Sequence, residues 1–184
     1  MAPEYGLGRG KVFPADKAAS LLNPLRRLVQ SPSRTVAAMK LAANARVLEV
    51  GCGPGFFSPS IAQAVPSGQV FLLDLQHEML RLAGDRVAGA LRVQSDAMAL
   101  PLVDGAVDAV FVSAMLGEVP DRDRCLAEIR RVLRDGGHVT LAETRRDSDF
   151  IPMPELQALV VPHGFELVER RGVRWQYVAR FRAA

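Results

Sequence analysis

The chemistry in this sequence gathers around a glycine-rich turn and three acids. The run Glu49-Val50-Gly51-Cys52-Gly53-Pro54-Gly55-Phe56-Phe57 sets glycines at alternate positions. With no Cβ, such a backbone turns tightly and lets a ligand approach the main chain. Asp74 follows Gly55 by nineteen residues, where a carboxylate can accept hydrogen bonds from both hydroxyls of a ribose. Asp96, in the segment SDAMALP, can meet the exocyclic amine of an adenine, with the Ala97 N–H beside it. Glu49, just ahead of the glycines, can hold an ammonium group. The ligand these groups describe carries a ribose, an amine and positive charge. A glycine loop alone is as readily a structural turn, so the three acids supply the specificity. The dinucleotide fingerprint G-x-G-x-x-G is not met, because the third glycine comes one position early and Phe56 takes the sixth place. That spacing argues against NAD or FAD and disfavours a nicotinamide oxidoreductase.

Those groups can surround one crevice only if neighbouring strands end together, and the order of elements provides for this. RVLEV (46–50), QVFLLD (69–74), ALRVQ (90–94), DAVFV (108–112) and HVTLAE (138–143) read as buried strands. Between them, FFSPSIAQAV (56–65) reads as a helix with Ser58 as its cap and Pro59 in its first turn. HEMLRLAGDRVA (77–88) reads as a second helix, weakened at Gly84. RDRCLAEIRRVL (122–133) is strongly amphipathic, with Leu126, Ile129, Val132 and Leu133 on one side. Gly136 is expected to take the positive φ that ends it. PELQALVVPHG (154–164) reads as a short helix, and FELVERR (165–171) with WQYVARFR (175–182) as an antiparallel pair. Apolar strands alternating with helices imply an α/β fold with a mostly parallel sheet covered on both faces. Residues 1–44 precede this repeat and hold two helices, one interrupted near Asn23-Pro24 and one over Ser33–Leu41. The division expected is an N-terminal helical lid (1–44) and a ligand-binding domain (45–184).

A length of 184 residues suits one domain with a core that needs no disulfide or structural metal. Hydrophobic residues at 49% and charged residues at 23% exclude a disordered tail, a collagen-like chain and a coiled coil. Cys52 and Cys125 fall in different elements without a C-x-x-C and read as reduced thiols. His77, His138 and His163 lack metal-ligand spacing, so no metal is expected. No run approaches the roughly 18 apolar residues of a membrane span, and the first residues lack the apolar core of a secretory signal. A cytoplasmic location is therefore expected. Residues 1–46 hold eight basic and two acidic residues, which places the positive excess at the N-terminal end. This fits attraction to an anionic substrate or surface, or simply a solvated arginine-rich helix face. Aromatic residues are not interleaved with the basic ones, so nucleic acid is not an expected partner.

From about Val47 to Leu141 the chain resembles the class I S-adenosylmethionine-dependent methyltransferases, most closely the small-molecule branch that includes the ubiquinone/menaquinone C-methyltransferases. VLEVGCGPGFFS matches the family's first motif and FLLDLQHEML its second-strand motif. QSDAMALPLVDGAVDAVFV looks like the adenine-contacting segment and fourth strand, and AEIRRVLRDGGHVTLAE like the helix, glycine turn and fifth strand. The resemblance implies a Rossmann-like, doubly wound, seven-stranded sheet whose last strand is antiparallel. It implies S-adenosylmethionine as cofactor and S-adenosylhomocysteine as product. Carried over residue by residue, Gly51, Gly53 and Gly55, with Cys52 among them, wrap the methionine part. Asp74 binds the ribose, Leu75 and Met79 pack near the adenine, and Asp96 with Ala97 reads the adenine edge. Ser113 sits where the family often offers a backbone carbonyl to the amino group. Gln76 and His77 depart from the small polar residue common after the acid. The stretch from Thr144 to Gly164 is short for the family, which shifts substrate selection to residues 1–44.

Methyl transfer from a sulfonium is an in-line displacement by an already activated donor, so the protein mainly aligns the nucleophile and excludes water. The segment Ser113–Glu118 should line the methyl-side mouth. Glu118 can be a base, a substrate contact or merely a surface carboxylate. Phe13, Leu21, Leu22, Leu25, Leu28 and Val29 can form an apolar lid, and Trp175 and Tyr177 are expected in packing. The acceptor expected is a small or lipid-like molecule, and the exposed face of the C-terminal hairpin offers a homodimer interface. The alternative is a catalytically silent protein of the same fold that holds the cofactor or a partner chain.

Overall fold

Residues 13–184 are described here by a computed structural model. The opening part of the expected lid, residues 1–12 with Arg9 and Lys11, lies outside them. Seven strands form one sheet in the order β3-β2-β1-β4-β5-β7-β6. They are β1 (Arg46–Val50), β2 (Gln69–Asp74), β3 (Leu91–Gln94), β4 (Val107–Ser113), β5 (Leu133–Thr144), β6 (Phe165–Val173) and β7 (Gln176–Ala183). β1 pairs in parallel with β2 and β4, and β5 with β4. β7 runs antiparallel to both β5 and β6, so the expected seven-stranded, doubly wound sheet with an antiparallel last strand is what forms.

Side-chain alternation splits the core into two layers. Leu48 and Val50 of β1 join Val110 and Val112 of β4 on one face, packed on Leu126, Ile129 and Leu156. Those residues come from α6 (Arg122–Val132) and α7 (Met153–Val160). Val47 and Phe111 face the other way, against Val36, Met39, Ile61 and Leu80. These belong to α3 (Pro32–Met39), α4 (Ser58–Ala64) and α5 (His77–Gly84). Before α3, the interrupted helix appears as two single turns, α1 (Ala18–Leu21) and α2 (Arg26–Val29). α3 starts one residue earlier than expected because Ser31 caps it, accepting from the Arg34 N–H at 3.4 Å, with Pro32 in the first turn.

Two local expectations are corrected. Ser58 does not cap α4, whose N-cap is Phe57 with no side-chain bond. The Ser58 hydroxyl instead donates to Glu49 at 2.6 Å inside the protein. Gly136 does have positive φ, 70°, but α6 already ends at Val132 and Leu133 is extended and paired with Val107. The glycine sits within β5, where the register with β4 shifts between Val107 and Ala109.

α6 also fixes the loop that carries Asp96. Arg131 donates to the carbonyls of Leu100 and Leu102 and pairs with Asp104 and Glu128, while Glu128 accepts from the Leu100 N–H at 2.7 Å. Arg131→Met should lower the unfolding free energy by roughly 1–2 kcal/mol, given several charge-assisted bonds partly screened by solvent. It should also weaken nucleoside binding through the loosened loop. Urea denaturation checks the first effect and calorimetric titration with S-adenosylhomocysteine the second; an unchanged midpoint would show that the loop holds without this clamp.

Candidate active site

The switch point of the sheet lies between β1 and β4, whose following chains leave in opposite directions, and open sheets bind ligands in that crevice. A cavity of about 670 Å³ opens there. Of the residues singled out from sequence, Glu49, Gly51, Cys52, Gly53, Asp74, Leu75, Met79, Asp96, Ala97, Ser113 and Glu118 all line it. Gly55 does not. A Cβ there would sit 2.9 Å from the Ala83 backbone, so this glycine lets the loop pack on α5 rather than meet a ligand. From the segment 113–118, Ser113, Ala114, Met115 and Glu118 reach the cavity, whereas Leu116 is buried in the core.

Hydrogen bonds hold the glycine turn to the tip of β2. The Gly51 and Cys52 N–H groups both donate to the Leu73 carbonyl, at 2.8 and 3.0 Å. The Gly53 N–H donates to one Asp74 oxygen at 2.9 Å, and the Gln76 N–H to the other at 3.0 Å. Burial pushes the Asp74 carboxyl above its usual range, and these backbone donors pull it back. Each oxygen still has a lone pair to offer. At Gly51, where φ is 67°, a Cβ would fall 2.6 Å from the Met115 side chain, so the turn and the end of β4 approach closely only because the residue is glycine. Ala114 takes a left-handed φ of 49° just past β4, sharply redirecting the chain so that Ser113 and Met115 both reach the cavity. Asp96 accepts from the Met98 N–H at 2.8 Å.

Glu49 is 3% exposed. Burial first, and the nearby Asp74 charge as well, push its carboxyl up to about 8 against the Ser58 hydrogen bond. Burial and the charges of Asp147, Asp149 and Asp74 bring Glu118 to about 8 too. Burial raises the Cys52 thiol as well, chiefly by desolvation and then by Glu49 and Asp74, so it remains a neutral small residue of the turn.

Sequence reasoning did not find the charged part of the opposite wall. Arg26 of α2 stacks over the Phe56 ring at 4.3 Å and bonds Gln30 and the Leu21 carbonyl. Asp147 and Asp149, from the loop after β5, bring carboxylate oxygens within 4.8 Å of Glu118. Phe13, Leu21, Leu25 and Val29 line the cavity as the expected lid would, but Leu22 packs on the core and Leu28 is exposed. Thr144, Arg146, Asp147 and Ser148 line it too. The short stretch after β5 therefore shares the wall with the N-terminal segment. No motif marks these residues.

A model of the methyltransferase domain matches residues 48–141, just over half of the chain. The chain belongs to this family. An uncharacterized 37.1 kDa protein of transposon TN4556 from Streptomyces fradiae is 37% identical over 139 residues, covering 72% of this chain and 40% of that protein. A demethylmenaquinone methyltransferase of Lactobacillus johnsonii is 36% identical over 118 residues, 60% of this chain and 48% of that enzyme. The chain thus spans less than half the length of either relative. A solved SAM-dependent methyltransferase from Aquifex aeolicus shares the fold at a TM-score of 0.83, covering 94% of this chain and all of that one, at 22% identity.

This methyltransferase family works with S-adenosylmethionine, and the cavity fits that molecule. The Ser113 hydroxyl is buried on the wall without a hydrogen-bond partner among the described residues. Glu49 offers a buried carboxyl, Asp74 spare lone pairs, and Gly51 and Gly53 a main chain without side chains. Titration of the buried acids gives a test. Glu49, Glu118 and Glu143, all raised from 4.5 to about 8, hold protons in the folded chain that the unfolded chain releases. Stability without ligand should therefore fall as pH rises from about 4.5 to about 8. Cationic S-adenosylmethionine favours ionised Glu49, so its thermal shift should be larger near about pH 8.5 than near about pH 6. Glu49→Gln should remove that difference and part of the slope. Scanning fluorimetry across pH measures both, and a ligand shift independent of pH in the parent would contradict a buried, protonated Glu49.

Proposed function

We propose that the chain moves a methyl group from S-adenosylmethionine to a small, largely apolar acceptor. One observation carries this reading. The cavity that holds Glu49, Asp74, Asp96 and Ser113 is also lined by Leu21, Leu25, Val29, Phe56 and Met115. The polar groups suit a nucleoside joined to an amino acid, and the apolar side chains suit a second molecule beside it. In this reading Asp74 accepts from the ribose, Asp96 and Ala97 meet the adenine between Leu75 and Met79, and Glu49 and Ser113 hold the amino-acid end. The bound cofactor supplies an activated methyl group. The protein's own part is alignment and exclusion of water, to which the apolar side chains of the lining are suited.

Glu118, which also lines the cavity, takes the acceptor's proton. Its raised carboxyl is matched to a phenol or enol more closely than an ordinary glutamate would be. The name of the Lactobacillus johnsonii relative makes demethylmenaquinone the first acceptor to try.

Asp74→Ala should weaken S-adenosylhomocysteine binding about 10- to 100-fold, the loss expected for charge-assisted hydrogen bonds, with circular dichroism confirming the fold. Equal binding by mutant and parent in calorimetry would remove Asp74 from the site. Glu118→Gln should leave that binding intact and lower turnover about 10²-fold. In the parent, turnover should rise with pH up to about 8, as Glu118 loses its proton. A parent profile that stays flat over that range would leave Glu118 with no role as a base.

A further inference from the structure

The mouth of the cavity opens beside an apolar face built from two distant parts of the chain. α2 and the residue before it present Leu25, Leu28 and Val29, with Leu28 83% exposed. The tip of the β6–β7 hairpin presents Val173 and Trp175, the latter 60% exposed and so in a turn rather than in packing. These two parts are tied together. The Gln176 side-chain amide donates to the Val29 carbonyl, and the Arg145 N–H donates to the Trp175 carbonyl at 2.8 Å. Half of the large hydrophobic residues exposed among the described residues thus belong to these two neighbouring elements. Leu25 and Val29 continue directly into the cavity wall.

Cations frame the face. Arg27 adjoins Leu28, Arg174 adjoins Trp175, and Arg145 and Arg146 leave the loop that bonds the hairpin tip; all four are exposed. None of them makes an ion pair among the described residues, whereas Arg130, Arg131, Arg134, Arg171 and Arg182 each do. Exposed apolar side chains ringed by unpaired arginines, with a tryptophan at the tip, match the requirements of an interfacial site. The apolar groups enter the acyl boundary, tryptophan settles at headgroup depth, and the cations attract anionic lipid.

We infer that this face docks on an anionic lipid bilayer, with α2 and the hairpin tip inserted at the interface and the cavity mouth turned toward the membrane. An apolar acceptor then enters from the bilayer without crossing water.

The chain has a single tryptophan, so its emission reports on this face alone. With vesicles of phosphatidylglycerol and phosphatidylcholine, emission should move to shorter wavelength and the chain should sediment with the lipid. Pure phosphatidylcholine vesicles, or about 0.5 M salt, should weaken the partition about tenfold or more. Leu28→Asp, and separately the pair Arg27→Glu with Arg174→Glu, should each do the same. S-adenosylhomocysteine affinity and Tm should stay at parental values, since none of these residues lines the cavity. No emission shift and no co-sedimentation with anionic vesicles would overturn the inference. So would a lipid-free shift that grows with protein concentration and disappears in Leu28→Asp, which would assign the face to a second copy. Both readouts are independent of methyl transfer, so loss of one reading leaves the other standing.

Discussion

Asp74 accepts one backbone N–H from the glycine turn and another from the start of the following helix, one on each oxygen. The rest of the site depends on this bridge. It hangs the turn after β1 on the end of β2, and the Leu73 carbonyl reinforces it with two further bonds. The turn is thereby held in shape before any ligand arrives, so little ordering cost is left for the binding step. Burying that carboxylate is costly, which its raised proton affinity records. The backbone donors offset part of the cost, and ligand hydroxyls can offset more.

The same logic governs the other acids. Glu49 shares a strand face with Val47 and Phe111, where alternation alone would call for an apolar residue. A buried carboxyl that holds its proton near neutrality is tolerable there because the Ser58 hydroxyl donates to it. Glu118 lies near Asp147 and Asp149, and the mutual repulsion of their charges adds to desolvation. Arg26 lowers the field at Asp147 while stacking on Phe56. One planar cation of the N-terminal segment thus serves both an aromatic ring and an acid of the sheet domain.

Much of this was legible in the sequence, for definite reasons. Buried strands that end in Gly51 or Asp74 announce themselves, because a short, mostly apolar run cut short by glycine or an acid has few other readings. The antiparallel hairpin followed from two strand-like segments, FELVERR and WQYVARFR, joined by a short loop. Ser58 was misread because capping is a local signal, and here a partner nine residues earlier outcompetes the helix end. Gly55 stands at the right spacing, but spacing cannot say whether a missing Cβ makes room for a ligand or for the Ala83 backbone. Arg26, Asp147 and Asp149 were invisible. They converge from segments without a motif, and only the folded chain brings them together.

Ala114 holds a left-handed backbone without being glycine, a conformation that costs an L-residue roughly 1–2 kcal/mol. Drift at this position is consequently steered by the main chain as well as by what the side chain meets in the cavity. Glycine or asparagine can replace alanine with relief, whereas valine, isoleucine or threonine are shut out however well they would fill the space. Across descendants of this chain, a narrow choice at position 114 beside freer variation at its neighbours would be the inherited trace of that bend.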